Sequence, residues 1–190
     1  MSKFIEKRAL QSFDSLKASG ETAVHRYRPS FPARTLVEMD LLEGRIFDWG
    51  CGRGFDLEYF RSQGFSAEGW DPNHLPETPP EKFPPGTFDL VHCAFVLNTL
   101  PDPEERLQIL RAIHDFLPPA GHISLTVRSQ SNINANKKPT WKRYSDGWMT
   151  PKGTFQKGYT ADELVEIISP LFKDIVVMSR EPLFVIASPI

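Results

Sequence analysis

FDWGCGRGFD, residues 47–56, carries more structural information than any other ten residues of the chain. Its first residues close a short apolar run, RIFDW at 45–49, with the profile of a buried strand. Gly50, Gly52 and Gly54 follow at once, and 55–63 then reads as a helix with Leu57, Tyr59 and Phe60 turned inward. A strand, a glycine turn and a helix in that order put the turn at the C-terminal edge of a parallel sheet, where α/β folds bind ligands. Glycines there let the backbone approach a ligand and adopt positive φ, although a plain tight turn uses the same residues.

The flanking chain agrees with that frame. Further strands are expected at 66–70 (SAEGW), 88–95 (FDLVHCAF) and 122–128 (HISLTVR). Asp102 as N-cap, Pro103 at the first helical position and Glu105 three residues after the cap open a helix with Leu107, Leu110, Ile113 and Leu117 on one face. Upstream, an amphipathic helix is expected over 3–18 and a shorter one over 32–42. Downstream, Thr160 and Glu163 form a capping box for a helix to 171, and strands at 174–178 and 183–187 flank a turn at 180–182. Six prolines within 72–85 exclude a regular helix or central strand and leave an extended surface connection. The order predicts an α/β, doubly wound, mostly parallel sheet with an antiparallel C-terminal strand pair.

With 190 residues, the chain is expected to form a single domain over 1–190, with an N-terminal helical cover at 1–43 and an insertion at 129–159. A content of 40% hydrophobic and 12% aromatic residues excludes a disordered chain. No apolar run approaches the roughly 20 residues of a membrane span. MSKFIEKRALQSFDS at 1–15 interrupts its hydrophobics with charges, unlike a secretory leader. Cys51 and Cys93 are too few for a disulfide scaffold, and neither they nor the five histidines show metal-ligand spacing, so a cytoplasmic protein without a metal is expected.

The net charge of −2 conceals an asymmetry. Arg128, Lys137, Lys138, Lys142, Arg143, Lys152 and Lys157 face one acid, Asp146, so 128–157 carries +6 and the rest of the chain −8. Trp141, Tyr144, Trp148 and Phe155 lie in the same window.

Acids surround the glycine turn. Asp48 precedes it, Asp56 follows it, and Asp71 ends the second strand at the place from which a carboxylate reaches ribose hydroxyls. Three carboxylates against Arg53 would repel a pyrophosphate, and no Lys-Ser/Thr follows the glycines as a P-loop requires. An acidic, glycine-lined crevice suits a nucleoside whose other end is cationic, and S-adenosyl-L-methionine (SAM) is such a molecule. FDWGCGRG at 47–54, GWDPN at 69–73, FDLVHCAFVLN at 88–98 and GHISLTV at 121–127 resemble the successive motifs of class I, Rossmann-like, SAM-dependent methyltransferases. TAVHRYRPSFP at 22–32, DPEER at 102–106 and DGWMTPKGTFQKGYT at 146–160 are in addition similar to methyltransferases associated with DNA phosphorothioation gene clusters.

The resemblance implies SAM as cofactor. It implies contacts from Asp48, Gly50, Cys51, Gly52 and Gly54 to the methionine part, from Asp71 and Pro72 to the ribose side, and from Ala94 and Asn98 beside it. Arg28 is a partner for the methionine carboxylate, or simply a solvated arginine before a helix. The strand that carries the adenine acid in the family falls within 72–88, and only 16 residues separate Asp71 from Phe88, so it is expected to be vestigial.

Methyl transfer needs alignment and a dry site more than a strong base. No Asp/Asn-Pro-Pro-aromatic tetrad follows the third strand, where AFVLNTLPDP stands, and Cys93 reads as core. His92 reads as structural, which leaves His25 and Asn98 as the catalytic candidates and Tyr27 as a cover for the site. The basic-aromatic segment would offer Lys137, Lys138, Lys142, Arg143 and Lys157 to phosphates and Trp141, Tyr144, Trp148 and Phe155 to bases. The same residues would equally make a substrate lid with solvated lysines and packed aromatics. The expected acceptor is therefore DNA, RNA or a nucleotide-like molecule. A small-molecule acceptor and a non-catalytic SAM-binding or partner-binding module of a DNA-modification system stand beside it.

Overall fold

The structure, a computed structural model, describes residue 20 and residues 28–190. The helix expected over 3–18, His25 and Tyr27 lie outside the described residues. Helix α1, Phe31–Glu38, opens on Ser30, whose hydroxyl accepts from the Ala33 N–H at 3.2 Å. It stops short of the expected 42 because Asp40, just past the cap, takes a left-handed φ of 54°.

Strand β1, Arg45–Trp49, has the sequence of a buried strand and is buried from Ile46 onward. Helix α2, Phe55–Ser62, leads to β2, Ser66–Trp70, and β3 covers Leu90–Ala94. Helix α3, Pro103–Phe116, is capped by Asp102, whose carboxylate accepts from the Glu104 N–H at 2.9 Å. Strand β4, His122–Val127, completes the parallel set. After residues 129–159, termed the lid for brevity, come α5, Ala161–Ile168, then β8, Phe172–Arg180, and β9, Leu183–Pro189, both longer than their apolar centres suggest.

The main sheet has six strands in the order β2-β1-β3-β4-β9-β8. The first four are parallel, and β9 pairs antiparallel with both β4 and β8. The chain leaves β1 for one neighbour and returns on its other side, so a crevice opens where the ends of β1 and β3 diverge. One face packs Phe47, Val91, Ile123 and Leu125 against Leu110, Ile113 and Phe116 of α3 and Leu164 and Ile168 of α5. The other packs Ile46 and Leu90 against Leu36 of α1 and Leu57 and Phe60 of α2.

No strand forms within 72–88. The segment folds instead around an isolated bridge between Asp71 and Leu75 and a 3₁₀ turn at Pro80–Lys82, which leaves β2 as the sheet edge. Two outward carbonyls of that edge are occupied: Arg61 Nε donates to Ala67 O at 2.9 Å and Thr78 Oγ1 to Gly69 O at 2.6 Å.

The basic-aromatic segment, which shows no periodicity in the sequence, has regular structure. Helix α4, Gln130–Asn136, is followed by a small antiparallel sheet of β5, Lys142–Tyr144, β6, Gly147–Met149, and β7, Phe155–Gln156. Strands of two or three residues are too short for alternation to register.

Candidate active site

The glycine turn is built by backbone hydrogen bonds. Gly50 N–H donates to Trp70 O at 2.8 Å and Cys51 N–H to the same oxygen at 3.1 Å, tying the end of β1 to the end of β2. Gly50 and Gly52 have φ of 72° and 55°, which a β-carbon would strain, and one on Gly50 would lie 2.4 Å from Val96 Cγ2. Gly54 is the N-cap of α2, and it does not line the cleft that opens over the turn.

That cleft, about 2370 Å³, runs from the glycine turn to the lid. Arg28, Asp48, Gly50, Cys51, Gly52, Asp71, Pro72, Ala94 and Asn98 all line it, so nine of the ten expected cofactor residues converge there. Asp71 Oδ2 accepts from Gly52 N–H at 3.1 Å, and Oδ1 accepts from Asn73 and His74 N–H at 2.9 and 3.0 Å. An ionised carboxylate offers about four acceptor directions, so one remains for a ligand hydroxyl.

Phe95 bends the chain after β3 with φ 62°, uncommon for a bulky residue, and sends Val96 and Asn98 into the cleft. Asn98 is 2% exposed and its Oδ1 has no partner among the described residues. Such an atom costs free energy unless a ligand donates to it. Burial, then the charges of Asp48 and Asp71, pushes the Cys51 thiol far up. Burial first, and Asp48 second, does the same to Cys93, so neither is a ready nucleophile.

Histidine is absent from the described lining of the cleft. His92 is fully buried beneath the sheet, with Nδ1 3.0 Å from Ser124 Oγ and Nε2 3.6 Å from Asp56 Oδ2. No group of three or more His, Cys, Asp or Glu among the described residues could hold a metal ion. No helix among them is long and apolar enough to cross a membrane.

The nine residues expected to meet phosphates and bases are divided between the cleft and the rest of the segment 129–159. Lys138 and Trp141 line the cleft; Lys137, Lys142, Arg143, Tyr144, Trp148, Phe155 and Lys157 do not. Lys157 is 4% exposed and its ammonium lies 3.1 Å from Asp146 and 2.7 Å from Glu163, so it is not available to a phosphate. Lys137 Nζ lies 3.9 Å and Arg143 Cζ 5.3 Å from the Trp148 ring centroid, so the ring is engaged in cation–π contacts within the segment. Phe155 is 3% exposed, inside the lid's own core with Tyr144 edge-on at 6.4 Å.

Beneath the lid, Arg106 of α3 is 4% exposed and holds Asp146 through two bonds of 2.7 and 2.6 Å. Burial works against the Arg106 charge, but Asp146 and Tyr159 outweigh it and the net shift is upward. The Lys157 N–H donates to Asn98 O at 2.9 Å, which joins the lid to the cofactor-side loop. Arg106 escapes a sequence reading because an arginine in an amphipathic helix looks like a surface residue. The cleft also takes in Arg128, Asn132 and Gln156, which motif spacing does not single out.

Known proteins bear on this geometry directly. A family model described as Methyltransferase domain matches residues 24–168. The ubiquinone biosynthesis O-methyltransferase of Pseudomonas aeruginosa is 29% identical over 116 residues, 50% of this chain and 46% of that protein. The chain thus spans about half the length of the curated relatives it matches. The fold is similar to that of Burkholderia thailandensis 1,6-didemethyltoxoflavin-N1-methyltransferase, solved with S-adenosylhomocysteine (TM-score 0.60, 18% identity, 83% of this chain and 76% of that one). It is also similar to SAM-bound CalS10, an amino pentose methyltransferase from Micromonospora echinaspora (TM-score 0.54, 17% identity, 83% and 88%).

A doubly wound sheet, a glycine turn with its acids and a matching family model together define the class: the chain belongs to the methyltransferase-domain family, the class I SAM-dependent enzymes. The residues present fit SAM, since buried Asp48 and Asp71 complement its cations and hydroxyls and Asn98 Oδ1 awaits a donor.

Proposed function

We propose that the chain transfers a methyl group from SAM to a small-molecule acceptor held between the glycine turn and the lid. The observation that carries this reading is that Lys157 is buried in ion pairs with Asp146 and Glu163, while only Lys138, Trp141 and Lys152 of the segment's cations and tryptophans line the cleft after Arg128. The similar proteins, a ubiquinone biosynthesis O-methyltransferase, a toxoflavin-type N-methyltransferase and an amino pentose methyltransferase, support the same acceptor class.

When bound, SAM supplies an electrophilic methyl on a sulfonium. That methyl would pass to a lone pair of the acceptor with the bonding pair left on sulfur and the acceptor's proton given to water, and the chain's residues would supply the alignment. Asp48, Asp71 and Asn98 hold the donor. The apolar part of the cleft at Trp70, Phe83, Ile109 and Phe116 would take the adenine. An amide oxygen does not remove a proton near neutral pH, so Asn98 aligns rather than acts as a base. The chain's contribution is alignment, exclusion of water and charge complementarity.

The test is transfer of radiolabelled methyl from SAM into a cell extract that is then split by nuclease, protease and solvent. Label is expected in the low-mass, solvent-soluble fraction. Label lost to nuclease, with DNA or RNA binding that falls steeply with salt and flattens when Lys137, Lys138, Lys142 and Arg143 are neutralised, would assign a nucleic-acid acceptor instead. Tight S-adenosylhomocysteine binding with no label in any fraction would assign a non-catalytic module.

A further inference from the structure

The two ends of the cleft have opposite electrostatic character. The glycine-turn end is acidic, as a sulfonium and an ammonium require. The lid end contains Arg128, the residue after β4, together with Lys138 and Lys152 of the lid.

Arg128 is braced by neutral amides, with Glu181 acting on its charge from beyond ion-pair distance. Its Nε and Nη2 donate to Asn132 Oδ1 at 2.9 and 2.6 Å, and Nη1 donates to Gln156 Oε1 at 2.7 Å. Both acceptors are neutral amides, and no carboxylate lies within ion-pair distance of the guanidinium among the described residues. Glu181, the acid sharing this end of the cleft, is held by hydroxyls: Ser129 Oγ donates to it at 2.5 Å and Ser131 Oγ at 2.7 Å. Of the five N–H groups of an arginine, three are thus used, leaving one on each Nη as a donor. Burial lowers the Arg128 pKa, opposed by the charge of Glu181, and a contacting anion would stabilise the cation further.

We propose that Arg128 receives an anionic group, a carboxylate or a phosphate, on the methyl acceptor, and so selects anionic acceptors over neutral ones of the same shape. This rests on the small-molecule reading above. Lys138 and Lys152 line the same cleft and strengthen the local field, while Asn132 and Gln156 fix the plane of the guanidinium.

The test is calorimetric titration of the full chain, saturated with S-adenosylhomocysteine, with benzoate, phenyl phosphate and benzamide. At least one anion is expected to bind ten-fold or more tightly than benzamide, and the stronger of the two names the source. Arg128→Gln should reduce that preference to within two-fold while S-adenosylhomocysteine binding and thermal midpoint stay near wild type. Arg128→Lys, which keeps the charge, should retain most of it. Anions binding no better than benzamide, including no binding of any probe, or a preference that survives in Arg128→Gln, overturns the proposal. Radiolabelled product separates the two readings: label in a small neutral or cationic product sinks the role of Arg128 alone. Label in nucleic acid sinks the small-molecule acceptor, whatever Arg128 prefers.

Discussion

Asp71→Ala is expected to weaken S-adenosylhomocysteine binding by about 100-fold or more, read by calorimetry. The carboxylate does two things at once. It accepts from the N–H groups of Gly52, Asn73 and His74, and so holds the glycine turn against the end of β2. It also retains one acceptor direction for a ribose hydroxyl. Hydrogen bonds to a charged group contribute about 1.5–3 kcal/mol each, and buried donors left without partners add their own cost. A net loss near 3 kcal/mol in the binding step corresponds to the stated factor. Asp71→Asn keeps one carbonyl oxygen and should fall between alanine and wild type. Wild-type affinity in Asp71→Ala would show that the carboxylate serves the turn but not the ligand.

The second large effect concerns stability. Arg106→Met removes two bonds to Asp146 and those to Leu100 O, Pro101 O and the Tyr159 hydroxyl. Loss of one partner of a buried pair costs about 3–5 kcal/mol. Asp146 is 37% exposed and keeps Lys157 at 3.1 Å, so the cost should fall at the low end, near 3 kcal/mol in urea unfolding.

The same pair predicts a pH dependence. Burial alone would raise the Asp146 carboxyl, but hydrogen bonds and charge from Arg106 and Lys157 hold it below its ordinary value. A carboxyl lowered by the fold adds stability that is fully present above the ordinary pKa, about 4, and is lost as pH falls through the lowered one. The gap between wild type and Arg106→Met should therefore be constant above about pH 5 and shrink at lower pH. A gap independent of pH would show that packing, not the ion pair, dominates.

What could be read from the sequence follows from how local the determining physics is. The turn at 50–54, its strand and its helix depend on neighbouring residues, and each appears where spacing puts it. The capping box at Thr160 is half right. Thr160 Oγ1 accepts from Glu163 N–H at 3.1 Å, but the Glu163 carboxylate reaches Lys157 instead of completing the box. The lid resists reading for a related reason. A count of charges gives +6, whereas availability depends on partners such as Arg106, forty residues away from Asp146. Arg128 was counted among those charges, but its neutral brace, Asn132 and Gln156, exists only once the lid strand β7 lies against the start of α4. Its place at the end of an expected strand puts it at the ligand-binding edge, but the brace itself is not legible there.

The missing strand has a consequence for how copies of the chain meet. Shortening a sheet by one strand normally bares a row of backbone groups that another molecule can zip onto, a route to aggregation. Here the carbonyls of Ala67 and Gly69 are already taken by Arg61 and Thr78, one contact from the preceding helix and one from the proline-rich segment. With those two acceptors occupied, the exposed edge is a poorer template for self-association.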